Sequence, residues 1–177
     1  DDHWLPPDHF QEEPRGVVAH RTSPTNIGLM LLSTLSAYDL GYIGPLELAL
    51  RLRSAFEGME GLERYRGHFL NWYETRDRGA LPPRYVSTVD SGNLAAMLWV
   101  LQQGLRALPE EPVLRQQRWE GLRDALGVLT EILDAVSVRV HEDRDELGQH
   151  RELRGAVDAL EAHLTHIRRQ VQTALAS

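Results

Sequence analysis

The residues best equipped for chemistry lie between Gly67 and Asn93, in the stretch GHFLNWYETRDRGALPPRYVSTVDSGN. His68, Phe69, Asn71, Trp72 and Tyr73 crowd aromatic, amide and imidazole groups together. A turn-rich connector follows, and Tyr85 to Asp90 then runs into Ser91, Gly92 and Asn93 ahead of an apolar stretch. Flat rings beside short hydrogen-bonding groups suit a sugar cleft. C–H-rich pyranose faces stack on aromatic rings, while hydroxyls need donors and acceptors at fixed positions. The competing reading makes these rings the core of a helical protein. Core helices seldom set Asn, Trp and Tyr side by side, which weighs against it for Trp72 and Tyr73 more than for Phe69.

Asp90 is the acidic residue best placed for chemistry. A glycosidic role requires a second carboxyl, at ~5–5.5 Å in a retaining pair or ~6.5–9.5 Å in an inverting one. Glu74 is the only nearby candidate, so the catalytic group stays unassigned and Asp90 stands as its candidate. The structural alternative makes Asp90 a helix N-cap or an acceptor for a sugar hydroxyl. Trp72 and Tyr73 would face opposite sides of a strand, and Trp72 is the one assigned to the cleft. Arg21 and Asp90 either contact sugar or pair with each other in a buried ion pair. Asn26 either caps its helix or reads a hydroxyl. Asp8 and Gln11 lie in an extended segment suited to strapping across the outside.

These groups need helices to hold them. Residues 1–23 are extended and Pro-rich, and Ser23 with Pro24 then opens a helix as N-cap and first helical residue. Ile27, Met30, Leu31, Leu35 and Tyr38 recur at helical spacing, with Gly41 as the stop. Gly44 and Pro45 start a second helix through Leu48, Leu52, Ala55, Phe56 and Met59, frayed by Gly58 and Gly61. The period-two alternation of 68–73 and 84–89 predicts one small β-hairpin. A third helix is expected from Ser91 or Gly92, carrying Leu94, Met97, Leu98, Leu101, Leu105 and Leu108.

The break at Leu108-Pro109-Glu110-Glu111-Pro112 divides the chain into 1–108 and 109–177. Eleven of the twelve aromatics precede it, so the two parts are different materials. Beyond it, Trp119, Leu122, Leu126, Leu129, Leu133, Val136 and Val140 alternate three and four apart. After a charged stretch from His141 to Glu146, the alternation resumes at Leu153, Val157, Leu160, Leu164, Ile167, Val171 and Ala174. Two such helices form an antiparallel hairpin whose task is packing. His163 and His166 share a face but have no third ligand in register, so no metal site is assigned.

Composition narrows the function classes. A chain of 177 residues suits one ordinary domain, and no apolar run approaches the ~20 residues of a membrane span. With no cysteine, disulfides and thiolate metal sites are excluded. The net charge of −7, with no Arg-dense face and no Lys at all, excludes nucleic acid as a partner. A GC-rich bacterial coding composition accounts for the missing Lys. No secretory leader pattern is visible. The opening residues Asp1-Asp2-His3-Trp4-Leu5 look like the middle of something, and the chain is expected to be a piece of a larger protein.

Four blocks, in order and closely spaced, carry a resemblance. They are WLPPDHFQ from Trp4 to Gln11, VAHRTSPTNIGL from Val18 to Leu29, GHFLNWYE from Gly67 to Glu74, and PRYVSTVDSGNL from Pro83 to Leu94. Together they resemble a stretch of the large bacterial cyclic β-1,2-glucan synthases, with departures at His9, where Asn is expected, and at Glu74, where Asp is common. The resemblance implies an inner-membrane parent that joins a UDP-glucose-dependent glucosyltransferase, a middle glycoside-hydrolase-like region that cyclises glucan by transglycosylation, and a phosphorylase-like region. This chain looks like the beginning of the middle region, an (α/α)6 toroid. The implied fold is thus mainly α: a partial toroid-like array with the small β-hairpin, plus the C-terminal helical hairpin. The implied ligand is β-1,2-glucan or a gluco-oligosaccharide, contacted by Arg21, Asn26, His68, Asn71, Trp72, Tyr73, Asp90, Ser91 and Asn93. No cofactor is expected here, since UDP-glucose would serve elsewhere in the parent. The other partners implied are the rest of the parent polypeptide and, for the piece alone, further copies of itself. It would be a soluble portion of that membrane protein, inactive by itself. The alternative is a non-catalytic helical module for structure or oligomerisation.

Overall fold

The computed structural model describes residues 2–112, 115–142 and 149–176, and the chain is mainly helical with small antiparallel strand pairs. It divides into two compact units, Asp1–Tyr38 with Ile43–Val113 and Asp39–Tyr42 with Leu114–Ser177.

In the first unit the helices are α1 (Pro24–Asp39), α2 (Pro45–Glu60) and α3 (Thr88–Ala107). α1 starts as its sequence dictates: Ser23 Oγ accepts the Asn26 N–H at 3.2 Å, and Pro24 takes the first position, where no N–H is needed. α2 opens in the same manner with Gly44 and Pro45. It does not fray at Gly58. That glycine is buried in a continuous helix because the N-terminal segment crosses it, and a Cβ there would meet His3 O at 2.2 Å. α3 begins before the expected Ser91 or Gly92. Ser87 is its N-cap, accepting the Asp90 N–H at 3.1 Å, and Asp90 takes the acidic place of a capping box.

α1 and α3 run parallel and close. A Cβ on Gly28 would strike Met97, and seven residues further along each helix one on Gly104 would strike Leu35. Both helices therefore start at the same end of the unit, and that end carries the site. Ile27, Leu31, Leu35 and Tyr38 of α1, Leu48, Leu52, Ala55 and Met59 of α2, and Leu94 and Leu101 of α3 form the core with Leu5, Ile43, Leu62, Leu70 and Tyr73.

Among the described residues six two-residue strands accompany the helices: β1 (Phe10–Gln11), β2 (Val17–Val18), β3 (Arg21–Thr22), β4 (Arg64–Tyr65), β5 (His68–Phe69) and β6 (Tyr73–Glu74). They form three antiparallel pairs, β1–β2, β3–β6 and β4–β5. The expected hairpin of 68–73 with 84–89 is thus corrected. His68 opposes Tyr65, and Tyr73 opposes Thr22. Residues 84–87 form no strand, because two prolines without donors precede them and the α3 cap follows. One backbone hydrogen bond survives between the stretches, from Asn71 N–H to Tyr85 C=O at 2.9 Å.

The second unit holds α4 (Gln116–Glu142) packed along α5 (Gln149–Ala176). A short connection makes such a pair antiparallel. α4 continues through Glu142, and the remainder of the charged stretch, 143–146, lies outside the described residues, as does the Val140 side chain. The three–four alternation is only half used. Leu126 and Leu133, and Val157 and Val171, are buried, whereas Leu122, Leu129, Val136, Leu153, Leu160 and Ile167 stay exposed. Gly41 stops α1 with φ +82°, and a Cβ there would fall 1.9 Å from Gln117 O, so only glycine fits.

Candidate functional site

At the shared N-terminal end of α1 and α3, one hydrogen-bonded network joins residues from four parts of the sequence. Thr25, in the first turn of α1, donates to Asp90 Oδ1 at 2.6 Å and accepts from Asn93 Nδ2 at 3.1 Å. Oriented as its neighbours require, the Asn71 amide donates to Asp90 Oδ2 at 3.2 Å. Its oxygen accepts from Trp72 Nε1 at 2.6 Å and from the Tyr85 hydroxyl at 2.9 Å. Arg21 lies over the Trp72 ring, 4.9 Å from its centroid, and donates through Nε (3.1 Å) and Nη2 (2.8 Å) to Asp8 Oδ2. Asp8 Oδ1 accepts from Asn26 Nδ2 at 3.2 Å, which returns the network to α1.

Local folding explains why these groups meet. The β3–β6 pair sets Arg21 opposite Glu74 and so brings the Arg21 loop alongside Trp72. Leu81 N–H donates to Trp72 C=O, and Asn71 N–H to Tyr85 C=O, tying the proline-containing connector to the aromatic segment. Tyr73 is the internal post. It is wholly buried, and its hydroxyl accepts from Leu70 N–H and donates to Glu63 C=O, both at 2.6 Å.

The electrostatics favour anions that accept hydrogen bonds. Burial pushes the Asp90 carboxyl up, but hydrogen bonds from Ser87, Thr25 and Ser23 outweigh it and leave Asp90 below its ordinary 3.8. At Asp8 burial is likewise overcome, here by Arg21, His9 and Asn26. Both carboxylates are therefore charged at neutral pH and suited to fixing donors. A general acid would need the opposite shift. Both also sit near the starts of helices, where the macrodipole favours negative charge.

The network gathers Arg21, Asn26, Asn71, Trp72, Asp90 and Asn93, and leaves three expected residues outside it. Tyr73 has no exposed surface and supports the loop from within. Ser91 turns inward on α3, its hydroxyl buried without a partner among the described residues. His68 is exposed on the separate β4–β5 pair. One proposed pairing is corrected. Arg21 pairs with Asp8 rather than Asp90, because the extended N-terminal segment passes beside β3. Glu74, the suggested carboxyl partner of Asp90, is bound by Arg76 Nε and Nη2 at 3.0 Å each. Sequence reasoning missed Thr25, Tyr85 and Ser87 and undervalued Asp8. Ser87 had a visible signal, a serine three residues before an acid ahead of an apolar helix. For Thr25 and Tyr85 no local signal exists, since their partners are distant in sequence. Among the described residues no three His, Asp or Glu converge to hold a metal.

No family model matches the chain. It is similar to the cyclic β-(1,2)-glucan synthase NdvB of Rhizobium meliloti (strain 1021), with 46% identity over 132 residues, or 74% of the chain. The match spans 5% of that protein's length.

Proposed function

Because the chain is related to the cyclic β-1,2-glucan synthases, we propose that it supplies carbohydrate-binding loops to the region in which such an enzyme cyclises β-1,2-glucan by transglycosylation. The observation that carries this reading is the network itself. Aromatic rings, amides, a guanidinium and two charged carboxylates are interlocked at one end of two parallel helices, part of them solvent-accessible. Interlocked polar groups beside rings offer fixed partners for the hydroxyls of a neutral sugar. Parallel neighbours α1 and α3, joined through α2, suit the inner ring of an (α/α)6 toroid, in which loops at one end build the cleft. Five helices among those described are fewer than the about twelve of a whole toroid, so catalytic carboxylates are assigned to the rest of a parent polypeptide. On this reading the chain alone turns nothing over, needs no cofactor, and belongs to an inner-membrane enzyme whose UDP-glucose is used elsewhere. No described helix is long and apolar enough to cross a membrane.

Titration with linear β-1,2-gluco-oligosaccharides, followed by NMR, tests this. Shifts clustered on Arg21, Asn71, Trp72, Asp90 and Asn93 support it, and no perturbation at saturating sugar rejects it. The second unit favours an additional reading, as an assembly module. Between α4 and α5 lies a groove lined almost wholly by apolar atoms of Leu129, Ile132, Leu133, Val136, Leu160 and Ile167, open to solvent. Light scattering decides whether copies associate through it.

A further inference from the structure

We propose that Tyr85 is the ring on which a glucosyl unit stacks, and that Asn71 is the residue that positions it; this rests on reading the site as a glucan surface. Five aromatics lie between residues 65 and 85, and four are spoken for. Arg64 covers Phe69 at 4.4 Å from the ring centroid, Arg66 covers Tyr65 at 5.4 Å, and Arg21 covers Trp72 at 4.9 Å. Tyr73 is wholly buried. Uncovering Trp72 would require Arg21 to leave a ring contact while keeping, or breaking, two charge-assisted hydrogen bonds to Asp8. Each guanidinium takes one ring face only, but Tyr65 and Phe69 belong to the separate β4–β5 pair outside the network, and a pyranose needs a free ring face beside the network. Tyr85 is 49% exposed, and among the described residues no guanidinium lies over it.

Exposure alone would leave a mobile side chain, but Tyr85 is held at both ends by one residue. The backbone N–H of Asn71 donates to the Tyr85 carbonyl at 2.9 Å, and the Asn71 side-chain oxygen accepts from the Tyr85 hydroxyl at 2.9 Å. Asn71 is itself 6% exposed and anchored to Asp90 Oδ2. The ring plane is therefore set before any ligand arrives, which removes an ordering cost from binding. The ligand class that fits is a neutral sugar with a C–H face, its hydroxyls directed toward the amides and carboxylates of the same network. In this arrangement Trp72 acts as a brace for Asn71 and Arg21.

The test uses the whole chain and linear β-1,2-gluco-oligosaccharides, with affinities from calorimetry and folding checked by circular dichroism. Tyr85→Ala is expected to weaken binding about tenfold, the loss of one stacked ring. Tyr85→Phe keeps the ring and loses the tether, so a loss of about two- to threefold is expected, matched by Asn71→Ser, as the positional part of ΔG. In the wild type, saturation of the Tyr85 ring protons should transfer to sugar C–H protons. Wild-type binding that Tyr85→Ala leaves within twofold, or saturation transfer from Trp72 instead, would overturn this inference while sparing the sugar-site reading. Absence of wild-type binding would overturn both.

Discussion

Asp90 shows how a residue can be singled out correctly and still change roles. It receives bonds from Thr25 and Asn71, and its own N–H completes the cap at Ser87. Its carboxyl is depressed below 3.8, so the stability it contributes is fully present above that value and is lost as pH falls through the lower folded one. Asp90→Asn should cost about 1–3 kcal/mol at pH 7, the range for breaking a charged hydrogen-bonded group. Its difference from wild type should begin to shrink below about pH 4, where the unfolded carboxyl takes up its proton, and close only as pH falls through the lower native value. Urea unfolding at pH 7 and pH 3 measures this, and a gap that widens in acid would contradict it. Tyr73 makes a second case. Tyr73→Phe leaves the Leu70 N–H and Glu63 C=O without their shared partner, and a loss of about 1–3 kcal/mol is expected by thermal or urea denaturation. The same variant should leave sugar affinity unchanged in the folded protein, because no Tyr73 surface is exposed.

At the scale of elements, what was legible followed from local physics. Ser23-Pro24 and Gly44-Pro45 set the starts of α1 and α2 through capping and proline geometry that a few adjacent residues determine. The apolar spacing of α1, α2 and α3 named their buried faces, whereas that of α4 and α5 named a stripe of which only part is buried. The strands were illegible for the complementary reason. Arg21–Thr22 pairs with Tyr73–Glu74 across half of the first unit, and two-residue ladders carry too little alternation to announce a partner. Alternation through Tyr85 to Asp90 pointed to a strand, but Ser87 as a cap decided the outcome in favour of helix. The site followed the same division: Trp72, Asn71 and Asp90 stood out by type, while the Thr25 link to Asp90 depends on the parallel packing of α1 on α3. The α3 start offers a clean test. Ser87→Ala should cost about 1 kcal/mol, the usual price of a lost N-cap, whereas Ser91→Ala should be neutral within about 0.5 kcal/mol. The Ser91 hydroxyl has no partner to lose among the described residues. Equal effects in thermal denaturation would mean that the helix starts later than Ser87.

At the scale of the molecule, the pattern of the second unit is wider than a two-helix pairing uses. Of the exposed aliphatic residues along α4 and α5, seven, Leu122, Leu129, Ile132, Val136, Leu153, Leu160 and Ile167, are 40–56% exposed and are taken as one stripe. Such a stripe matches the broader face of a bundle helix, which has three apolar positions per heptad. Burying what remains of each is worth on the order of 1 kcal/mol, so pairing two copies gains roughly 14 kcal/mol. Association costs about 4–15 kcal/mol in lost freedom, so the balance is small and favourable at best. We therefore expect a concentration-dependent homodimer in the micromolar range, its two hairpins meeting as a four-helix bundle about a two-fold axis. In the first unit Leu46, Leu50, Trp99 and Val100 are exposed as well, and they are the rival surface. Introducing Leu129→Glu together with Leu160→Glu should return the scattering mass to the 20.1 kDa of one chain without loss of helicity, whereas Trp99→Glu should leave the dimer intact. A wild-type mass of 20.1 kDa at high micromolar concentration would reject association, and dissociation by Trp99→Glu alone would assign it to the first unit.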